Sequence, residues 1–203
     1  MSTPVRSRAL PTLAWILAAA LALRAGLALL AWLLHHDAAV YAYPDTATYV
    51  APARELASHG TFTVNGVPEL LRTPGYPLLM VPGVLLGNVT AVTIALQVAL
   101  SVATCAGVYL LARELVDDRR AALLAAGIAA VEPLGVQYAA LLLSECAFTA
   151  LLVFALLLLV RYLKRERPGE LLGGIVLLCA AAYVRPAGYL LPFACAGLLL
   201  LWA

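Results

Sequence analysis

Residues Tyr43 to Pro77 read YPDTATYVAPARELASHGTFTVNGVPELLRTPGYP, the one long polar interruption in an otherwise apolar chain. It gathers Asp45, Tyr49, Arg54, Glu55, His59, Glu69 and Arg72 between runs long enough to cross a bilayer. Charge elsewhere is confined almost entirely to the ends of apolar segments, so a cluster of acids and bases at one place marks a candidate active-site wall. Its inner order is readable. Tyr49, Ala53, Leu56 and Ala57 recur at helical spacing, which predicts a surface helix from Asp45 to Ser58, with Gly60 as its stop and Pro52 as a bend or a late start. Thr61 to Leu70 reads as turn or short extended chain, with Asn65-Gly66 as the turn signal.

Outward from this stretch the chain is membrane-like. Hydrophobic residues make up 64% of its 203 positions and charged residues 12%, and the mean hydropathy is +0.96. That balance excludes an ordinary soluble domain. Runs of about 20 apolar residues cross as helices, which satisfy their own backbone hydrogen bonds where no water is present. Leu and Ala enrichment favours helices over a barrel, so the expected fold is all-α, a polytopic bundle of about six transmembrane helices.

The first span is expected from Thr12 to Leu34; its length and the lack of a small-residue cleavage site set it apart from a signal peptide. Leu78 to Asn88, broken by Pro82 and Gly83, suits a second surface or re-entrant segment, so residues 35–88 form one loop region carrying surface helices. A second span covers Val89 to Ala112. Ala121 to Val160 is apolar for twice a bilayer thickness and holds two helices, with a turn between Pro133 and Glu145. A fifth span runs from Leu171 to Tyr183, is interrupted at Arg185-Pro186, and is followed by a sixth from Gly188. The whole reads as one module, 1–203, and its end within an apolar run suggests the N-terminal part of a longer protein.

Of the 13 Lys and Arg residues, nine lie in the N-terminus and in the Arg113–Arg120 and Arg161–Arg167 loops. The positive-inside rule makes these cytoplasmic. Arg54, Arg72 and Arg185 then face outward together with the polar stretch and the Pro133–Glu145 turn. Net charge is only +2, which gives no support to nucleic-acid binding.

Asp45, Arg72, Glu145 and Arg185 therefore converge on one side. A carboxylate among basic groups suits proton abstraction from a hydroxyl or amine, and arginines suit phosphate. Asp45 is the candidate base, although an acid there also serves as an N-cap. Tyr49 shares its helix face. Arg72, stiffened by Pro74, Gly75 and Pro77, is the candidate phosphate ligand, with a lipid headgroup as the other partner for such a residue. Glu145 also fits a plain helix N-terminal acid, and Arg185 an interfacial arginine. Arg24 lies mid-span, where a charge costs about 2.5 kcal/mol or more, and the favoured explanation is an ion pair with Glu132. The histidines at 35, 36 and 59 lack the spacing of a zinc site, and the four dispersed cysteines read as small apolar packing residues.

The combination PDTATYVAPARELASHGTF, RTPGYPLLMVP, LLLSE and YVRPAGYLLPF resembles the GT-C membrane glycosyltransferases, on the branch of the bacterial relatives of protein O-mannosyltransferases and lipid A aminoarabinose transferase. The resemblance implies transfer of a sugar, with inversion, from a polyprenyl-phosphate donor to a protein, lipid or glycan acceptor outside the plasma (inner) membrane, with the N-terminus cytoplasmic. It implies Asp45 as catalytic base, with Arg72 and Arg185 on the donor phosphate; Tyr49, Tyr76 and Glu145 complete the candidate substrate-binding set, and no cofactor is expected beyond the lipid-linked sugar substrate, the need for a metal being left open. A transporter or flippase, motivated by Arg24 and Glu132, and a non-catalytic membrane subunit are the alternatives from other functional classes.

Overall fold

The computed structural model describes residues 9–202. It is helical almost throughout: α1 (Ala9–His35), α2 (Thr46–His59), α3 (Gly75–Leu85), α4 (Val89–Leu115), α5 (Arg119–Val131), α6 (Pro133–Ala139), α7 (Glu145–Arg165), α8 (Pro168–Val184) and α9 (Leu191–Trp202). The one sheet among the described residues is a two-stranded hairpin, β1 (Thr63–Val64) against β2 (Val67–Pro68). Its turn is Asn65-Gly66, both at positive φ, as a tight hairpin requires.

Among the described residues three helices are long and apolar enough to cross a membrane: α1 from Thr12, α4 and α7. A fourth span exists if α5 and α6, bent by 53° at their junction, count as one. The fifth and sixth expected spans correspond to α8 and α9, apolar helices of 17 and 12 residues. At about 1.5 Å per residue the 17 residues of α8 fall short of a 30 Å hydrocarbon core. The all-helical membrane bundle is as expected; among the described residues three to four helices are long and apolar enough to span, where about six spans were expected.

Small residues let the spans close up. A Cβ on Gly107 of α4 would lie 2.8 Å from Val153 of α7, and one on Gly174 of α8 would lie 2.8 Å from Leu159 of α7. Lipid competes for apolar contact as well as any leucine does, so intimate backbone approach is what holds such helices together. By contrast α1 is largely uncovered, with Trp15, Leu29 and Leu34 exposed.

The two ends of the bundle differ chemically. At one end the basic loops meet: Glu114 of α4 accepts from Arg161 and Arg165 of α7 at 2.8 Å each, and Arg165 reaches Glu170 of α8 at 3.5 Å. At the other end α2, the hairpin and α3 fold over the tops of α4, α7 and α8. Tyr41, Tyr49, Tyr76, Met80, Ile94 and Val98 pack there with Ala139 and Cys146. The helix expected from Asp45 to Ser58 is α2, closed at Gly60 in a left-handed conformation, with Pro52 buried inside it. The expected second surface segment is α3.

Candidate active site

Asp45 precedes α2 but does not cap it: its backbone is helical and its carboxylate bonds no helix N–H. Thr46 supplies the local order instead, its hydroxyl accepting from the Tyr43 amide at 2.8 Å and donating to the Leu142 carbonyl at 3.2 Å. The Asp45 carboxylate is thereby left for Arg72, whose Nη2 lies 2.6 Å from Oδ1. Arg72 is held on every side. Its Nε donates to Thr48 Oγ1 at 2.8 Å, its Nη1 to the Tyr49 hydroxyl at 3.2 Å, and its guanidinium carbon lies 4.6 Å from the Tyr49 ring centre. The Glu69 carboxylate ties the turn from below by accepting from the Leu71 and Arg72 amides. The guanidinium is four-fifths buried while Asp45 is half exposed, so the cation is fixed and the carboxylate remains open to an incoming group.

Tyr76 backs this arrangement. Its ring meets that of Tyr49 edge-on at 4.9 Å, and its hydroxyl donates to Gln97 Oε1 at 2.5 Å. Gln97 in turn donates to the carbonyls of Tyr138, in the last turn of α6, and of Leu141, in the α6–α7 connection. Burial pushes the Tyr76 phenol well above its ordinary range, so it stays a donor. Fully buried and bonded in this way, Tyr76 supports Tyr49 and presents no free group to a ligand.

The second pair is Glu145, the first residue of α7, and Arg185, which ends α8: Oε1 and Nη1 are 2.7 Å apart. The other oxygen of Glu145, Oε2, is buried with no hydrogen-bond partner. The two ion pairs share one end of the bundle because α3 begins three residues after Arg72 and abuts the end of α8. A Cβ on Gly75 would lie 2.7 Å from the Tyr183 carbonyl oxygen and 2.8 Å from the Val184 nitrogen. Only glycine allows the two backbones to touch there.

Arg24 is not paired with Glu132. It is 1% exposed, and its Nε donates to Ser101 Oγ at 2.6 Å, its Nη1 to the Ala20 and Ala130 carbonyls at 3.1 and 2.8 Å, and its Nη2 to the Ala129 carbonyl at 3.1 Å. Ala129 and Ala130 are in the last turn of α5, whose carbonyls have no intrahelical partner. The cation thus closes the negative end of a helix that stops at membrane depth. Glu132 instead caps α6, accepting from the Leu134 and Gly135 amides at 2.9 and 2.5 Å. The expected ion pair fails because each charge finds a helix end closer than the other charge.

Beside Arg24 lies a cavity of about 200 Å³, walled by α1, α4, α5, α6 and α7. Glu145 and Cys146 form part of it, so it adjoins the second ion pair. Sequence reasoning counted Glu69 in the charged cluster without giving it a role, and missed Thr48, Gln97 and the polar wall of this cavity. One signal was present: Gln97, Ser101 and Thr104 stand four and three residues apart, a polar stripe on an apolar span. Among the four cysteines, Cys105 and Cys146 are buried and Cys179 is exposed on the outside of α8. His59 pairs with Glu55 one turn away, at 3.0 Å.

The family model of dolichyl-phosphate-mannose-protein mannosyltransferases matches residues 72–203. Searches of curated proteins and of solved structures gave no match. The matched segment opens on Arg72 and contains Tyr76, Glu145 and Arg185; α1, Asp45 and Tyr49 precede it. With about two thirds of its length matched and a fold of apolar helices around a charged end, this chain belongs to the dolichyl-phosphate-mannose-protein mannosyltransferase family of membrane glycosyltransferases.

Proposed function

We propose that the charged end of the bundle transfers a sugar from a polyprenyl-phosphate donor to a hydroxyl-bearing or amine-bearing acceptor, on the extracytoplasmic face of the plasma membrane. The observation that carries this reading is the Asp45–Arg72 pair, in which a fixed cation stands beside a half-exposed carboxylate. Asp45 Oδ1 receives Arg72, and the rest of the carboxylate accepts the acceptor's proton. The acceptor oxygen or nitrogen forms its bond to the anomeric carbon as the bond to the phosphate oxygen breaks. The electron pair leaves on the polyprenyl phosphate, whose growing charge Arg72 and Arg185 stabilise. The anomeric carbon is inverted because entry and departure occur on opposite faces.

The basic loops gathered at the far end support a cytoplasmic N-terminus under the positive-inside rule. The transporter alternative loses its motive, since Arg24 is bound by carbonyls and Ser101 and not by Glu132. Membranes containing the full chain, given a radiolabelled polyprenyl-phosphate sugar, should label an endogenous acceptor, and Asp45→Asn should abolish the labelling. Undiminished labelling in that variant would remove Asp45 from the chemistry.

A further inference from the structure

Residues 140–144, which join α6 to α7, are irregular chain at the charged end of the bundle, and Ala140, Leu142, Leu143 and Ser144 among them are buried. Buried backbone outside a helix has to find partners for its polar groups. Here they come from far along the chain. The Leu142 amide donates to the Tyr41 carbonyl at 2.9 Å, and the Leu142 carbonyl accepts from the Thr46 hydroxyl at 3.2 Å. The Leu141 carbonyl accepts from Gln97 Nε2 at 2.6 Å, and the same nitrogen reaches the Tyr138 carbonyl at 3.1 Å. Gln97 is fully buried on the apolar span α4, where an amide is costly unless its donors and its acceptor are engaged. Both are, since Oε1 receives the Tyr76 hydroxyl.

The partners of this segment lead back to the first ion pair by two routes. Thr46 follows Asp45 in the chain, so its bond to Leu142 ties the start of α2 to the segment. Tyr76 meets the ring of Tyr49 edge-on, and that ring lies against the Arg72 guanidinium, so Gln97 ties the segment to the other member of the same pair. Three residues after Leu142 comes Glu145, the partner of Arg185. The segment is therefore bonded towards Asp45 and towards Arg72, and it runs directly into the second ion pair. A displacement of about 1 Å between reacting groups can cost about a hundredfold in rate, so a segment placed in this way bears on chemistry without touching substrate.

We propose that Thr46 and Gln97 are positioning residues for sugar transfer: by bonding residues 140–144 they hold the Asp45–Arg72 and Glu145–Arg185 pairs at a fixed separation. Both side chains are buried. Thr46 acts through the start of α2, and Gln97 acts through Tyr76 and the segment. The role in transfer rests on the glycosyltransferase reading above; the strut between the two pairs does not.

The test follows transfer from a radiolabelled polyprenyl-phosphate sugar to the endogenous acceptor in membranes containing the full chain, as the maximal rate per chain. Amide hydrogen exchange of residues 140–144 is measured by mass spectrometry on the same chain in nanodiscs. Thr46→Val keeps the shape of the side chain and removes its hydroxyl. It should lower the maximal rate about tenfold or more, keep the donor KM within about twofold, and speed exchange of the segment about fivefold to tenfold. Thr46→Ser, which keeps the hydroxyl, should restore both to within about twofold. Gln97→Leu should slow transfer to a similar degree, and combined with Thr46→Val it should cost less than the product of the two single losses, because both loosen one segment. Should Gln97→Leu fail to fold, the two Thr46 variants decide alone. A Thr46→Ser variant no faster than Thr46→Val, losses that multiply in the double variant, a loss of rate that only follows the fraction unfolded in melting curves, or exchange unmoved by every substitution would each overturn the proposal. Exchange that responds as expected in a protein whose wild type transfers no sugar upholds the strut and sinks the glycosyltransferase reading. Undiminished transfer by Thr46→Val overturns the positioning role and leaves that reading intact.

Discussion

Arg24 and Arg72 are the same side chain in opposite circumstances. Arg72 is balanced by a carboxylate, stacked on Tyr49 and set at the end of the bundle, where its partner is half exposed. Arg24 is buried among helices, and its direct partners are a hydroxyl, a thiol and backbone carbonyls. An arginine satisfied by carbonyls has every donor committed to the fold, so it fixes the α5–α6 break and is removed from chemistry. An arginine that shares one carboxylate oxygen leaves that carboxylate available to react. On the proposed reading, the difference between a structural cation and one that serves the chemistry lies in what each bonds.

Substitutions on each side can break this contrast, and the largest effect is expected at the functional end. Asp45→Asn should lower sugar transfer by about a hundredfold to ten-thousandfold, the range of a general base, with an unchanged melting temperature. A large loss of stability in that variant would make the pair structural after all. Next comes Arg24→Leu, which strands the α5 carbonyls and Ser101. Each buried group left unsatisfied costs about 1–3 kcal/mol, so thermal unfolding in detergent should show about 3 kcal/mol of destabilisation or more. A melting temperature equal to wild type would show that water replaces the guanidinium.

Gly75→Ala should cost about 1–3 kcal/mol, because its methyl meets the backbone of Tyr183 and Val184 and pushes α3 from α8. Activity should fall with it, since the same contact sets Arg72 relative to Arg185; stability lost without activity would uncouple the two ion pairs. The smallest effect is expected from Tyr49→Phe, which keeps the ring under Arg72 and removes one hydrogen bond. About 1 kcal/mol, or roughly fivefold in kcat/KM, is the expected loss. A far larger loss would mean that the Tyr49 hydroxyl contacts substrate directly.

Much of the site-bearing region was legible in the residues. The helix after Asp45 and the Asn65-Gly66 turn follow from local spacing and turn chemistry, and the surface segment expected from Leu78 to Asn88 is the helix α3, which begins three residues earlier, at Gly75. Asp45 and Arg72, singled out separately, prove to be bonded to one another, as do Glu145 and Arg185. The pairing of Arg24 was misread because charge suggests charge, whereas the terminal carbonyls of α5 carry partial negative charge that no residue letter displays. Among the described residues fewer helices than expected pass as spans by length, since α8 extends only 17 residues and α5 joins α6 through a 53° bend.

By itself the sequence determined the solvent this chain is built for, its helical class and the segregation of basic loops from the polar stretch. Those properties are local sums of hydropathy, period and charge. Tertiary structure alone decided which charges meet, which end of which helix Arg24 closes and where the cavity beside it forms. Arg24 bonds Ser101 and Ala130, 77 and 106 positions away, and partners so distant are chosen by the packing of whole helices, which no local pattern encodes.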